Sequence, residues 1–375
     1  MDWHSFRELF PVTRNYNFLD HAAVAPLCRP AVTAAREYLQ QAMDSGYLGG
    51  RYYKHADGVR QLAAQLINAN ADEVTFVKNT SEGLNLVANG LSWNSGDNVV
   101  TTNVEFPANM YPWLALKSRG VQVITVLEED GRIEMDRLIE SINPRTRLVT
   151  ISSVQFASGY RTDLATLGQY CQSKGVLLCV DAIQSVGAMP IDVQAMHIDF
   201  LSADGHKWMC GPEGAGIFYC SKELQGHLRP SCVGWHSVKN FLDFTHYALD
   251  FRDDIKRFDS GAYNLPGIYA LGGAIKMLLD IGIEHITARI ICLTNRLAEG
   301  VRDKGYRVIS SRKPAEASGI LAFASDVHNH AQIAAHLRAE HRIVVAERNG
   351  RLRASPHFYN SEKEIDRLIE VLPKH

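Results

Sequence analysis

The chain has 375 residues, of which 39 are basic and 41 acidic, so its formal net charge is −2. This near-balance, without long runs of one sign, gives no electrostatic footprint for nucleic acid. No stretch approaches the about 18 consecutive apolar residues that a membrane span requires. The seven cysteines are scattered without a Cys-x-x-Cys pair, which predicts neither a disulfide framework nor a metal site. Because residues 1–4 lack the character of a signal peptide, we expect a cytoplasmic protein.

Helical and strand patterns alternate along the first part of the chain. A helix is predicted from Pro30, where proline suits the first turn, to Met43. Three glycines then interrupt the pattern: Gly46, Gly49 and Gly50. Further helices are predicted over 56–66, 81–91, 107–112, 136–142 and 163–175, and strands over 74–77, 99–102, 121–126, 147–154, 176–181, 199–204 and 215–219. Strands that alternate with helices predict a mainly parallel sheet covered by helices on both faces.

The pattern changes after about Cys220. Residues 221–258 are irregular, and a smaller α+β unit is predicted beyond them. At this chain length two domains are expected, and we place the large one at residues 18–270 and the small one at 1–17 together with 271–375. The small unit is predicted to contain helices over 265–279, 285–302, 330–340 and 361–372 and strands over 306–310, 319–324 and 343–346.

Two polar residues follow consecutive apolar strands of the first part. Asp181 ends the strand 176–180, and Lys207 stands on a loop after the next strand, which breaks at Gly205. Ligands of such sheets bind outside the carboxyl ends of the strands, so both residues are predicted to face one site. A partly desolvated ε-amine loses proton affinity and can attack a carbonyl. The alternative for Lys207, a surface lysine in a β-turn, stays open at this point.

The carboxylate of Asp181 needs a partner, because an ionised carboxylate does not stay buried alone. A protonated pyridine nitrogen would serve, since enzymes that use pyridoxal 5′-phosphate (PLP) combine a Schiff-base lysine with an acidic partner for that nitrogen. A salt bridge to a core arginine or a helix cap would serve as well. Gln184, on the same side of the chain, would reach the phenolate oxygen of such a cofactor or lie exposed in its loop.

The segment 79–85 lies between a predicted strand and a predicted helix. The hydroxyl groups of Thr80 and Ser81 and the first N–H groups of the helix would face a bound anion, which the helix dipole favours. An ordinary N-cap formed by Ser81 or Thr80 explains the same residues, and one helix end can do both. The segment therefore predicts a phosphate site or a simple helix start.

Four segments together resemble the class V aminotransferase-fold PLP enzymes, the group of cysteine desulfurases, selenocysteine lyases and isopenicillin-N-epimerase-like proteins. The resemblance extends from His21-Ala22-Ala23 to the last helix. It implies an α/β protein of PLP-dependent transferase fold type I, in which a large domain with a mainly parallel sheet between helices carries a smaller C-terminal α+β domain. It also implies an amino-acid substrate and a homodimer with sites at the interface. The segments are Asn-Thr-Ser-Glu-Gly-Leu-Asn at 79–85, Val-Asp-Ala-Ile-Gln-Ser at 180–185, Asp-Gly-His-Lys-Trp at 204–208 with Gly-Pro-Glu-Gly-Ala-Gly at 211–216, and Arg-Leu-Arg-Ala-Ser-Pro-His-Phe-Tyr-Asn at 351–360.

The resemblance also implies roles for individual residues. Lys207 would form the Schiff base and move the proton at the substrate α-carbon, and Asp181 would keep the pyridine nitrogen protonated. Arg353 would bind the substrate carboxylate, a task that suits a guanidinium fork. The remaining implied contacts to the phosphate come from Thr80, Ser81, Ser202, His206 and, across the dimer interface, Gly261 and Ala262. The phenolate oxygen would be contacted by Gln155 and Gln184, and the ring by Phe106. The substrate would be contacted by His21 and by Trp235; for Trp235, aromatic packing is the alternative.

Two departures from the family pattern narrow the chemistry. Phe106 stands where many members have a histidine that stacks on the ring, and phenylalanine cannot exchange protons. The connection 346–353 reads as a tight turn without cysteine, where desulfurases carry a catalytic cysteine on a loop. We therefore expect a PLP-dependent enzyme that acts at the α-carbon without an enzyme persulfide, and transamination is favoured. A C–S lyase, an epimerase and a PLP-fold binding protein without turnover stay open.

Overall fold

A computed structural model describes residues 1–48 and 51–374, so the predicted interruptions at Gly49 and Gly50 lie outside the described residues. No helix in the described ranges is long and apolar enough to cross a membrane. The helices are α1 Arg29–Ser45, α2 Tyr52–Leu66, α3 Thr80–Gly90, α4 Tyr111–Ala115, α5 Met135–Glu140, α6 Leu164–Lys174, α7 Leu265–Ile281, α8 Ile283–Asp303, α9 His330–His341 and α10 Glu362–Val371. The strands are β1 Asn17–Phe18, β2 Val74–Val77, β3 Asn98–Thr102, β4 Gln122–Val126, β5 Thr146–Ser152, β6 Leu177–Asp181, β7 Phe200–Asp204, β8 Gly216–Cys220, β9 Arg307–Val308, β10 Leu321–Ala324, β11 Ile343–Val344, β12 Ala346–Arg348 and β13 Arg351–Ala354.

A seven-stranded sheet in the order β2-β8-β7-β6-β5-β3-β4 forms the centre of the molecule. Only β8 runs against its neighbours, which confirms the mainly parallel sheet. Neighbouring side chains of one strand enter different cores: Val180 and Leu201 pack in one cluster, and Cys179 and Phe200 in another. Because successive side chains point to opposite faces, this division shows that apolar groups cover both faces of the sheet.

The C-terminal part contains a four-stranded antiparallel sheet in the order β12-β13-β10-β9. The predicted strand 343–346 is divided, because β11 pairs with β1 while β12 pairs with β13. The predicted strand 306–310 is also shorter, since only Arg307–Val308 pairs with β10. Helix α7 is continuous and packs on α1 and α2. The domain division at residues 270 and 271, inside this helix, stays a prediction.

The carboxyl ends of β6 and β7 are adjacent, with Asp181 paired to Ser202. The first turn of α3 packs directly on this edge, because a Cβ atom at Gly83 would collide with the Ser202 hydroxyl. A glycine at this helical position thus allows the close approach. The approach brings Thr80 and the N-terminus of α3 beside the residues that follow β7.

Candidate active site

A cavity of about 360 Å³ opens at this edge of the sheet. Its size lies within the range of small-molecule sites, about 300–1,000 Å³. The wall combines the N-terminus of α3, the ends of β6 and β7, and the hairpin β12–β13. Its lining residues are Ala22, Ala23, Val24, Asn79, Thr80, Ser81, Phe106, Ala108, Phe156, Asp181, Ile183, Gln184, Asp204, His206, Lys207, Arg348 and Arg353.

Lys207 and Asp181 share this cavity and are both buried. Burial lowers the pKa of Lys207, against the opposing charge of Asp181. Burial likewise raises the pKa of Asp181, which accepts a hydrogen bond from the N–H of Ile183 at 3.1 Å. Within the described part of the chain, the Lys207 amine makes no hydrogen bond or ion pair. An amine with a lowered pKa and an acid with a raised pKa in one cavity are typical of a functional site. Because Lys207 is buried, the alternative of a surface lysine in a β-turn is wrong.

Gln184 is buried rather than exposed. Its side-chain nitrogen donates to the carbonyl of Ala22 at 3.0 Å, and its oxygen accepts from the indole of Trp208 at 2.9 Å. The two contacts fix the amide at the cavity wall, next to the Lys207 loop. The exposed-loop alternative for Gln184 is therefore wrong.

The N-cap of α3 is Asn79, whose side chain accepts from the N–H of Glu82 at 2.9 Å. The alternative that Thr80 or Ser81 caps the helix is therefore wrong. The Thr80 hydroxyl instead accepts from the N–H of Asp204 at 3.2 Å, and Ser81 lines the cavity. Thr80 and Ser81 belong to the first turn of α3 and both line the cavity, so the positive dipole end of the helix lies at its wall, an arrangement that favours an anion.

His206 and Ser202 lie next to this helix end. The His206 Nδ1 atom lies 2.9 Å from the carboxylate of Asp204, but the two groups are not aligned for a hydrogen bond, so this buried nitrogen has no hydrogen-bond partner among the described residues. Ser202 donates to the carbonyl of Thr80 at 3.1 Å and does not line the cavity. His206 thus lines the cavity beside Asp204, whereas Ser202 holds α3 on the sheet.

Arg353 is 1% exposed, and β13 lies between β12 and β10. The edge-strand surface alternative is therefore wrong. Its Nη1 donates to the carbonyl of Phe156 at 2.9 Å, and its Nη2 donates to Asp20 at 3.0 Å. The Nε of Arg353 is buried and has no partner within 1–48 and 51–374. Burial lowers the pKa of this guanidinium, and the charge of Asp20 opposes the change.

Phe106 forms one side of the cavity, with its ring centre 5.3 Å from the Lys207 amine. It meets Phe156 edge-to-face at 5.3 Å. The preceding residue, Glu105, is buried and fastens this turn to the sheet. Its carboxylate accepts hydrogen bonds from the side chains of Thr102, Asn109, Ser152 and Gln155 and from the N–H of Ser152.

Several predicted site residues are not brought to this cavity. Gln155 donates to Glu105 at 2.7 Å and does not belong to the lining. His21 is fully buried, with Nδ1 2.8 Å from the carbonyl of Ser355 and Nε2 2.6 Å from the hydroxyl of Tyr359. Because a carbonyl only accepts, Nδ1 carries the proton and Nε2 accepts. Gly261 and Ala262 line a second cavity, and Trp235 is half-exposed outside both.

The sequence analysis missed three residues at or behind the site. Asp20 is the hydrogen-bonded partner of Arg353. Glu105 holds the turn that carries Phe106, and Arg348 is the second arginine of the cavity wall. A carboxylate directly after an apolar strand was the available signal for Asp20. Arg348 carried no local signal, because its position depends on the pairing of the hairpin.

The groups on this wall fit PLP. The Lys207 amine suits its aldehyde, the buried acid Asp181 suits its pyridine nitrogen, and the helix end with Ser81 and His206 suits its phosphate. The Arg353 Nε, which has no hydrogen-bond partner among the described residues, is a buried donor that a bound molecule would satisfy.

Comparison with known proteins also indicates a PLP-dependent enzyme. The family model described as aminotransferase class-V matches residues 17–368. A probable cysteine desulfurase of Methanothermobacter thermautotrophicus is 34% identical over 98% of this chain and 96% of its own. A cysteine desulfurase of Klebsiella pneumoniae is 30% identical over 95% and 92%. The solved apo structure of cysteine desulfurase from Thermococcus onnurineus has a TM-score of 0.90 at 28% identity and covers 98% of this chain and 96% of that one. The predicted fold and the PLP cofactor are thus confirmed, and the chain belongs to the class-V aminotransferase family of PLP-dependent enzymes.

Proposed function

We propose that this protein is a PLP-dependent C–S lyase, which eliminates a sulfur leaving group from the β-carbon of an amino acid and releases it into solution. The similarity to proteins named cysteine desulfurase favours C–S chemistry over the transamination that the sequence analysis favoured. The observation that carries the proposal is the composition of the cavity wall. All seven cysteines lie in the described residues, and none lines the cavity.

The hairpin β12–β13 leaves no room for a mobile cysteine loop. Asn349 and Gly350 connect the strands with φ of +52° and +72°, the left-handed values of a two-residue hairpin turn. The N–H of Gly350 also donates to the Glu347 side chain at 2.6 Å. Cys210, close to Lys207 in sequence, is fully buried, and burial raises the pKa of its thiol well above the usual range. A buried thiol that stays protonated is a poor sulfur acceptor.

The chain's own groups supply binding and proton transfer. The Nε side of Arg353 would bind the substrate α-carboxylate, and Asp181, Ser81 and His206 would hold PLP. When bound, PLP supplies an electron sink for the α-carbon. Lys207, whose pKa burial lowers, has a neutral fraction that can take the α-proton.

The fate of the bonds follows from this arrangement. The sulfur leaves with the electron pair of the C–S bond, and hydrolysis of the remaining three-carbon unit of a cysteine-type substrate gives pyruvate and ammonia. Phe106 exchanges no protons, and the Lys207 amine, 5.3 Å from its ring centre, is an acid or base placed against that face of the cavity. An enzyme that lacks a thiol acceptor passes the sulfur to solvent as sulfide, thiol or persulfide.

A panel of amino acids, analysed by product, tests the proposal. Cysteine-type amino acids, which carry sulfur on the β-carbon, should give pyruvate and ammonia in equal amounts with the sulfur product in solution, and mass spectrometry should find no persulfide on the protein. The Cys232→Ser/Cys292→Ser variant removes both exposed thiols and should keep the activity. A protein persulfide, an inverted amino acid, or a keto acid with the pyridoxamine form would refute the proposal. A coloured protein without any product would favour the binding-protein alternative.

We also infer that the protein acts as a homodimer. Residues 233–249 expose apolar side chains around Trp235, and large surface patches of this kind mark interaction sites. Sedimentation at micromolar concentration should give a dimer, and Tyr247→Lys with Leu249→Lys should give monomers that bind PLP more weakly. A monomeric, fully active wild type would contradict the inference. The exposed side chains are Val233, Trp235, Leu242, Phe244, Tyr247 and Leu249.

A further inference from the structure

Arg348 is a cation of the cavity wall that the proposed function leaves without a role. It ends β12 directly before the two-residue turn and is exposed, whereas Arg353 is buried at the inner end. Its Nη1 donates to the carbonyl of Glu347 at 2.7 Å. In the part of the chain that the structure describes, Arg348 has no ion pair within 4.0 Å, while Arg353 is matched by Asp20.

The strand register places the two arginines on one face of the hairpin. Ala346 lies opposite Arg353, and Arg348 stands two residues further along the same strand. Residues opposite each other and residues two apart share a face, so Arg348 is a diagonal neighbour of Arg353, at a backbone distance of about 7–8 Å. Leu352, on the other face, packs in the small core.

The charge of Arg348 affects the pKa values of Asp20 and Arg353. Burial raises the pKa of Asp20, and the positive charges of Arg353 and Arg348 lower it. Burial lowers the pKa of Arg353, and repulsion from Arg348 adds to this effect. Two guanidinium groups thus face one end of the cavity at different depths, one buried and partly neutralised, the other at the rim and unpaired.

We propose that Arg348 forms a second anion subsite, which selects amino acids whose sulfur substituent carries a carboxylate or another anion. This inference rests on the proposed function for the identity of the leaving group. Arg353 would hold the α-carboxylate at the inner end, and the substrate side chain would extend towards the rim. A guanidinium there would bind the distal anion and stabilise the negative charge of the departing sulfur.

Carboxylates without an amino group cannot react with the cofactor, so their binding tests the subsite without turnover. Glutarate and valerate both have five carbon atoms, but only glutarate has two carboxylates. Their affinities for the PLP-loaded protein can be measured from the shift of the visible absorption band and from thermal stabilisation. Glutarate should bind at least about tenfold more tightly than valerate, a difference of about 1.4 kcal/mol, and added salt should reduce the preference.

Three variants of the hairpin separate the subsite from general charge effects. Arg348→Ala should abolish the preference for glutarate. Arg351→Ala should keep it, because Arg351 is the cross-strand partner of Arg348 on the same face but does not line the cavity. Arg348→Lys should restore only part of the preference, since an ammonium lacks the guanidinium fork. Equal affinities in the wild type, or a preference that survives Arg348→Ala, would overturn the proposal.

Kinetics connect the subsite to the reaction. Arg348→Ala should raise KM for substrates with an anionic sulfur substituent, such as S-carboxymethylcysteine, by a much larger factor than KM for S-ethylcysteine. If the glutarate preference is present but no C–S cleavage occurs, the lyase proposal fails and the subsite stands. If cleavage occurs without any preference, the subsite fails and the lyase proposal stands.

Discussion

The ion pair between Arg353 and Asp20 gives a quantitative test of the site. The two side chains are 2% and 12% exposed, and their charged atoms lie 3.0 Å apart. Loss of one partner from a buried pair costs about 3–5 kcal/mol of stability, because the other charge stays buried and uncompensated. Arg353→Met should therefore lower the free energy of unfolding by about 3–5 kcal/mol when Asp20 is present. The loss should be markedly smaller when Asp20 is replaced by asparagine, which keeps the shape of the side chain without its charge.

Urea denaturation of the two single variants and the double variant gives the coupling energy of the pair. We expect a coupling of at least about 1 kcal/mol, while independent residues add within about 0.5 kcal/mol. Additive effects would refute the description of a buried, charged pair.

The same variants test whether Arg353 binds the substrate carboxylate. Arg353→Met should raise KM for amino acids about 100-fold without loss of the PLP absorption band, because a charge-assisted carboxylate contact is removed. Unchanged kinetics would remove Arg353 from substrate binding.

Three further predictions concern the PLP site. Borohydride treatment of the PLP-loaded protein should attach the pyridoxyl group to Lys207, and Lys207→Ala should abolish the visible absorption band; a label on another lysine would exclude the proposed role. Burial lowers the pKa of Lys207 in the folded apoprotein, so the unfolded chain binds more protons between the two pKa values, and urea stability should rise with pH there. Lys207→Met should flatten this rise, and an unaltered slope would argue against a buried amine. Asn79→Ala removes the cap of α3 and should cost about 1 kcal/mol and weaken PLP binding, whereas the exposed Asn89→Ala should change neither; similar losses in both would contradict the role of the cap.

The central part of the site was predictable because strand order along the chain and in the sheet agree there. Strands β6 and β7 are consecutive in sequence and adjacent in the sheet, so the residues that follow them had to meet at one edge. Asp181 and Lys207 needed no long-range information beyond this rule. The position of the α3 N-terminus beside this edge was predicted in the same way, from a strand that leads directly into a helix.

The remaining errors come from pairing between distant segments. Asp20 and Arg353 are separated by 333 positions, and no local pattern relates them. Gln155 had a polar side chain at the right end of a strand, but Glu105, 50 positions earlier, takes its amide nitrogen. In both cases the hydrogen-bond partner decides where the side chain points, and the sequence does not show the partner.

The residues that would decide the reaction are exposed, whereas Asp181 and Lys207, which would hold the cofactor, are buried. Asp181 ends a buried central strand and Lys207 is itself buried, so both depend on the packed sheet. Phe106 is 41% exposed on the turn after β3, and Arg348 is exposed on a hairpin. Substitutions at exposed positions usually change stability by less than about 0.5 kcal/mol, whereas buried charged groups are costly to alter. A fold of this kind can therefore keep its PLP chemistry while exposed turns change the leaving group and its acceptor, and the proposed C–S cleavage without an enzyme thiol depends on those turns.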